Sequence, residues 1–159
     1  MNNMYEYEEN LYKEGYNFIA GTDEAGRGPL VGPVVAGCVV FPKGYKNDLI
    51  NDSKKLTEKK REQLYDIIIK DAVTYGIGIV SAKEIDELNI YEASRKAMIK
   101  AYEEANKKVK IDYLLTDAMP ITTLDIPVLK IIKGDAKSVT IAAASILAKV
   151  TRDRILIDL

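Results

Sequence analysis

The chain has 159 residues, 47% of them hydrophobic and 30% charged, with a formal net charge of −1. That is enough apolar material for one packed domain, and it excludes the global basic field that many nucleic-acid binders carry, so any such binding must come from local basic clusters. There is no histidine and there is one cysteine, Cys38, which excludes imidazole-based zinc sites, Ser-His triads and a disulfide framework.

Residues 4–14, MYEYEENLYKE, have the pattern of a short amphipathic helix that ends near Gly15. YNFIAGTD predicts a strand leading into Asp23, and GPVVAGCVVFP a second apolar strand closed by Pro42. Cys38 falls inside that run and is expected to be small core filler. A polar loop, KGYKNDLINDSKK, follows. Thr57 then caps a helix, TEKKREQLYDIIIKDA, with Lys60 where a capping box would place Glu. TYGIGIVSA sets Tyr75, Ile77 and Ile79 against Gly76 and Gly78, the alternation of a third strand. From Ile90 a long helix is expected, with Ile90, Ala93, Ala97, Met98, Ala101 and Ala105 at helical spacing and the alanines allowing close packing on a sheet. IDYLLTD predicts a buried strand ending at Asp117. IPVLKII predicts another before Lys133-Gly134-Asp135, and SVTIAAASILAKVTRDRILI a final helix. This order implies a mixed α/β sheet covered by helices. The start, MNNMYEYEEN, is polar and acidic, unlike a signal peptide, and no apolar run approaches the ~20 residues that span a membrane.

The acids fall in a pattern. Asp23-Glu24, Asp117 and Asp135 each lie at or just past the carboxyl end of a predicted strand, where α/β sheets build their sites. Carboxylates packed together repel, and divalent cations remove that penalty. Mg²⁺ and Mn²⁺ prefer such hard oxygen ligands, and a pair of ions about 3.5–4 Å apart can drive a phosphodiester displacement. Beside the first pair, the stretch GTDEAGRGPLVGPVV holds Gly26-Arg27-Gly28. Glycines there allow a ligand close to the backbone, and arginine is a bidentate phosphate donor. Backbone groups exposed in this turn could contact a ribose 2′-hydroxyl, the group that separates RNA from DNA.

DEAGRGPLVGPVV resembles the N-terminal motif of the type 2 ribonucleases H, ribonuclease HII. DSKKL at 52–56, LLTDAMP at 114–120, KGDAKS at 133–138 and AAASILAKVTRDR at 142–154 agree in order, so the resemblance covers most of residues 17–155. It implies a ribonuclease H-like mixed five-stranded sheet flanked by helices, occupying residues 16–159 behind an N-terminal helical segment, 1–15. It implies metal-dependent hydrolysis of RNA in RNA/DNA hybrids and cleavage 5′ of ribonucleotides embedded in duplex DNA. The cofactor would be Mn²⁺ or Mg²⁺, held by Asp23, Glu24, Asp117 and Asp135. Gly26, Arg27 and Gly28 would read the 2′-hydroxyl, with Lys54 and Lys55 on phosphates. A monomer in the reducing cytoplasm, with no membrane partner, is expected. Asp153 competes as fourth acid, but its place in a helix between Arg152 and Arg154 suits a surface ion pair. Lys133, Lys137, Lys149, Arg152, Ser145 and Thr151 are unranked candidates for the same face. Family members continue past TRDR through a tyrosine-bearing helical segment, so a shortened C-terminus is expected here, with weakened activity. Two alternatives stay open: a core that binds metal and hybrid without cutting, and a DNA-processing enzyme of the same fold such as a resolvase or integrase relative. The Gly-Arg-Gly turn argues against the latter, since DNA has no 2′-hydroxyl.

Overall fold

The computed structural model describes residues 3–26 and 32–158. Five strands form one sheet: β1 (Ile19–Ala25), β2 (Val34–Val40), β3 (Thr74–Val80), β4 (Tyr113–Asp117) and β5 (Val128–Ile131). Their order is β3-β2-β1-β4-β5, with the first three antiparallel and β4 and β5 parallel to β1. The helices are α1 (Glu6–Lys13), α2 (Glu58–Asp71), α3 (Ala82–Leu88), α4 (Ile90–Lys108) and α5 (Val139–Ile157). The expected mixed five-stranded sheet with flanking helices is therefore present.

Side-chain alternation sorts the strands between two cores. Ala36, Cys38 and Val40 of β2 pack against Ala93, Ala97, Met98, Ala101 and Ala105 of α4, the alanine face read from the sequence. Val39, on the other face, packs with Leu64 and Ile68 of α2 and with Ala143, Ala144 and Leu147 of α5. On β3, Tyr75 and Ile77 join this second core. A third cluster joins Leu11 of α1 to Ile19, Leu115, Ile131 and Ile141. Among the described residues no helix is long and apolar enough to cross a membrane.

Several boundaries differ from expectation, each for a local reason. β1 starts at Ile19 rather than Tyr16, because the amides of Asn17 and Phe18 donate to the Asp112 carboxylate instead of to a strand. It runs on to Ala25, so Asp23 sits inside the strand, opposite Gly37. β3 stops at Val80, since Ser81 turns to cap α3 by accepting from the Glu84 amide at 3.2 Å. α3 has no fully buried residue and so gave no apolar period to read. The polar loop holds a 3-10 turn, Ser53–Lys55, and Asp135 lies in another, Gly134–Ala136, rather than directly at a strand end. Thr57 caps α2 as read, accepting from the Lys60 amide at 3.1 Å.

Helix α5 crosses the sheet unusually close. A Cβ added at Gly21 of β1 would stand 2.4 Å from backbone atoms of Thr140 and Ile141, and one at Gly37 of β2 would stand 2.5 Å from the Ala144 carbonyl. Backbone cannot move aside as a flexible side chain can. Gly21→Ala is therefore expected to destabilise by about 1–3 kcal/mol, the usual range for overpacking, which is roughly 2–4 °C of melting temperature per kcal/mol in a domain of this size. A thermal melt checks it, and an unchanged transition would mean that α5 has slack over β1.

Candidate metal centre

β1 and β4 are parallel neighbours with Thr22 opposite Thr116, so the next residues, Asp23 and Asp117, emerge side by side at the same end of the sheet. Two buried hydroxyl bonds steady this end: Thr22 Oγ1 donates to the Gly37 carbonyl at 2.7 Å, and Thr116 Oγ1 to the Met119 carbonyl at 2.5 Å. The chain turns sharply after Asp117, with Ala118 at φ 60°. Beyond β5 the backbone passes through a left-handed Lys133 into the turn that carries Asp135. The Gly134 amide donates to Asp117 Oδ1 at 2.9 Å and ties that turn to β4.

Three segments distant in sequence thus bring three acids together. One carboxylate oxygen each from Asp23, Asp117 and Asp135 all lie within 4.8 Å of one another. Asp23 and Asp135 are each 4% exposed. Burial, and then the charges of Glu24 and Asp117, push the Asp23 carboxyl well above its usual range, against the Glu24 amide that donates to Asp23 Oδ1 at 2.8 Å. Asp135 is pushed up to about 6 by burial, then by Asp117 and Asp52, with Lys54 opposing. The cluster is strained when it carries full charge. Clustered carboxylate oxygens are the hard donors that Mg²⁺ and Mn²⁺ prefer, and a cation relieves their repulsion, so the donor set fits such an ion.

The acids open into a cleft of about 370 Å³. Glu24 also lines it, half-buried, but does not belong to the 4.8 Å cluster. Among the described residues, Lys54, Arg61, Lys149 and Arg152 bring positive charge to it. Ser145, Lys149 and Arg152 reach it together because they fall at i, i+4 and i+7 of α5, one helix face. Ser145 Oγ is 2.8 Å from Ser53 Oγ, which joins α5 to the DSKKL segment. Arg61 braces that segment from α2, donating through Nη1 to the carbonyls of Ser53 (3.0 Å) and Leu56 (2.6 Å). Arg152 is 3% exposed and donates through Nε to the Pro33 carbonyl at 2.9 Å. Gly26 lies against it at φ 111°, and a Cβ there would stand 2.7 Å from both Arg152 Nε and the Pro33 carbonyl.

The remaining sequence candidates divide. Arg27 and Gly28 lie outside the described residues. Lys54 lines the cleft, whereas Lys55 borders a separate shallow groove with Lys59 and Lys60. Lys133, Lys137 and Thr151 are not among the cleft-lining residues. Asp153 is also absent from that lining and pairs at 3.2 Å with Lys149, one turn back, rather than with an adjacent arginine. Nothing in the sequence marks Arg61 or Asp52 as a site residue. An arginine in an amphipathic helix carries no mark of the loop it will brace, while Asp52 was visible only as the first letter of DSKKL.

The acid cluster sets a pH dependence for the metal-free protein. Asp135 ordinarily titrates at 3.8 and is raised to about 6 in the fold. Between those values the folded state keeps a proton that the unfolded chain has lost. Its stabilising contribution is therefore complete below about 3.8 and is lost as the pH rises through about 6. Asp23 shifts in the same direction. Without metal, the melting temperature of the natural chain relative to an Asp135→Asn variant should fall across that window, and saturating Mg²⁺ should reverse the trend. Parallel melting curves for the two proteins at every pH would show that Asp135 ionises without strain.

Comparison with known proteins bears on what such a cleft does. A family model described as Ribonuclease HII matches residues 20–159. A ribonuclease HII of Caldanaerobacter subterraneus subsp. tengcongensis is 63% identical over 150 residues, covering 94% of this chain and 61% of that protein. One of Bacillus subtilis is 54% identical over 154 residues, covering 97% and 59%. The chain thus spans about 60% of the length of these relatives. The crystal structure of the ribonuclease H2 from Pyrococcus horikoshii superposes with a TM-score of 0.75 at 32% identity, covering 89% of this chain and 74% of that one.

Proposed function

Since this chain belongs to the ribonuclease HII family, we propose that it carries the centre of a metal-dependent endonuclease. Its reaction is hydrolysis of RNA paired with DNA, including cleavage 5′ of single ribonucleotides embedded in duplex DNA. The observation that carries this reading is the convergence of Asp23, Asp117 and Asp135 within 4.8 Å in a cleft that also holds the cationic side chains of Lys54, Arg61, Lys149 and Arg152. Those acids, with Glu24 beside them, hold two Mg²⁺ or Mn²⁺ ions. Bound there, the ions supply an activated water and charge stabilisation at the leaving oxygen of a phosphodiester.

This chain's own residues orient the substrate. Lys54, Lys149 and Arg152 neutralise phosphates of the duplex, which the near-zero net charge of the whole protein does not do. Gly26, with Arg27 and Gly28, presents backbone to the ribose 2′-hydroxyl. Arg152 and Pro33 leave no room for a side chain at Gly26, so the approach there is through backbone alone. Lys55 meets phosphates farther along the duplex. The protein works as a monomer in the cytoplasm, where its buried Cys38 stays reduced.

Three matched duplexes test the reading: one all DNA, one with a single ribonucleotide, one with a run of them. Metal-dependent cutting of the last two, and none of the first, is expected. Equal cutting of all three would point to a DNA-processing enzyme of the same fold. Metal and hybrid binding without any cutting would leave a binding core.

A further inference from the structure

The family match begins at residue 20, which leaves α1 outside it, yet α1 buries one carboxyl side chain in the body of the protein. Glu8 is 4% exposed. Its Oε2 accepts from Ser138 Oγ at 2.6 Å, Thr140 Oγ1 at 2.8 Å and the Thr140 amide at 3.1 Å. One residue earlier in α5, the Val139 amide donates to the Met4 carbonyl at 2.7 Å. The opening amides of a helix have no partner within it. Here the first two are satisfied by the N-terminal segment, and the third, that of Ile141, by the Ser138 cap at 3.2 Å.

Both residues held by Glu8 lead straight to the acid cluster. Ser138 lies three residues after Asp135, and the amides of Lys137 and Ser138 close that turn onto the Gly134 carbonyl at 2.9 and 2.8 Å. Thr140 lies against Gly21, with no room for a Cβ between them, and Gly21 is two residues before Asp23 on β1. One carboxyl group on α1 therefore grips the point from which Asp135 hangs and the point where α5 seats on the strand of Asp23. We propose that Glu8 is a positioning residue of the metal centre: by fixing the start of α5 it sets the separation of Asp135 from Asp23 and Asp117. This rests on reading those acids as a divalent-metal site. The hydrogen bonds converge on Oε2, while Oε1 has no partner among the described residues. Burial pushes the Glu8 carboxyl up, which makes glutamine, the shape of the protonated acid, the conservative replacement.

The experiment compares the natural chain, Glu8→Ala and Glu8→Gln, all well below their melting transitions. Mn²⁺ affinity is read by calorimetry, and amide hydrogen exchange over residues 134–141 on the metal-free proteins. Losing a group that orients metal ligands commonly costs 10–100-fold in affinity. Glu8→Ala is expected at the low end, about tenfold weaker, with faster exchange at Ala136, Lys137 and Ser138, and Glu8→Gln within about twofold of the natural chain. If Glu8→Ala does not fold, Thr140→Val takes its place. It deletes one of the three bonds, so a weakening of about threefold is expected, part of one hydrogen bond's worth. A folded Glu8→Ala, or Thr140→Val in its stead, that binds Mn²⁺ as the natural chain does would overturn the proposal and leave Glu8 a helix cap. Failure of the natural chain itself to bind Mn²⁺ would sink the metal reading. The exchange data, which involve no metal, judge the Glu8 link separately, and unchanged protection in the variant overturns it.

Discussion

Asp23→Asn is expected to remove cleavage while leaving the metal-free fold as stable as before, or more stable. Asp23 is buried, and its carboxyl is forced upward by burial and by the charges of Glu24 and Asp117. An amide oxygen can still accept from the Glu24 amide that now bonds Oδ1 at 2.8 Å, so the substitution deletes the charge and keeps the contact. Loss of a divalent ion's Lewis-acid contribution is worth several kcal/mol. At 1.36 kcal/mol per tenfold, that is on the order of 10³-fold or more in rate. The stability change has the opposite sign, because a repelling charge is gone. Single-turnover kinetics and a metal-free melt on the same preparation check both halves. A variant that loses activity and also melts much lower would mean that Asp23 holds the fold through its charge.

The second large effect separates two acids that the sequence leaves in competition. Asp135→Asn should cost on the order of 10²-fold or more in turnover and weaken metal binding, since misplacement or loss within a preorganised site is amplified in the rate. Asp153→Asn should stay within a few-fold. Asp153 faces Lys149 at 3.2 Å in a partly exposed i,i+4 pair, and such pairs are worth only about 0.3–0.5 kcal/mol. Titrating both variants with Mn²⁺ on a duplex that carries one ribonucleotide decides between them. Retained activity in Asp135→Asn with loss in Asp153→Asn would reverse the assignment.

Much of this arrangement was legible in the chain. Apolar runs ending in acids mark β1 and β4, and parallel pairing of those strands carries Asp23 and Asp117 to one place. The alanine stripe of α4 announced its close contact with the sheet. What stayed hidden depends on where elements land rather than on what they contain. Arg61 sits in a helix whose pattern says nothing of a cleft, and the sequence does not rank Arg152 above Lys133 or Lys137, which do not line it. Lys54 and Lys55 are adjacent letters, but the tight 3-10 turn sends one into the cleft and the other to the next groove. Glu8 is the sharpest case. In EYEENLYK it is one of three acids of an amphipathic helix, and nothing local distinguishes it from Glu6 or Glu9. Only the start of α5, 130 residues on, makes it a buried acceptor.

The central claim is that three carboxylates from separate segments meet to hold a divalent cation. An anomalous difference map from a crystal soaked in Mn²⁺ tests it most directly. The account predicts manganese peaks directly coordinated by Asp23, Asp117 and Asp135, and their loss in the Asp23→Asn variant. Peaks confined to other acids, or none beside these three at saturating Mn²⁺, would contradict it.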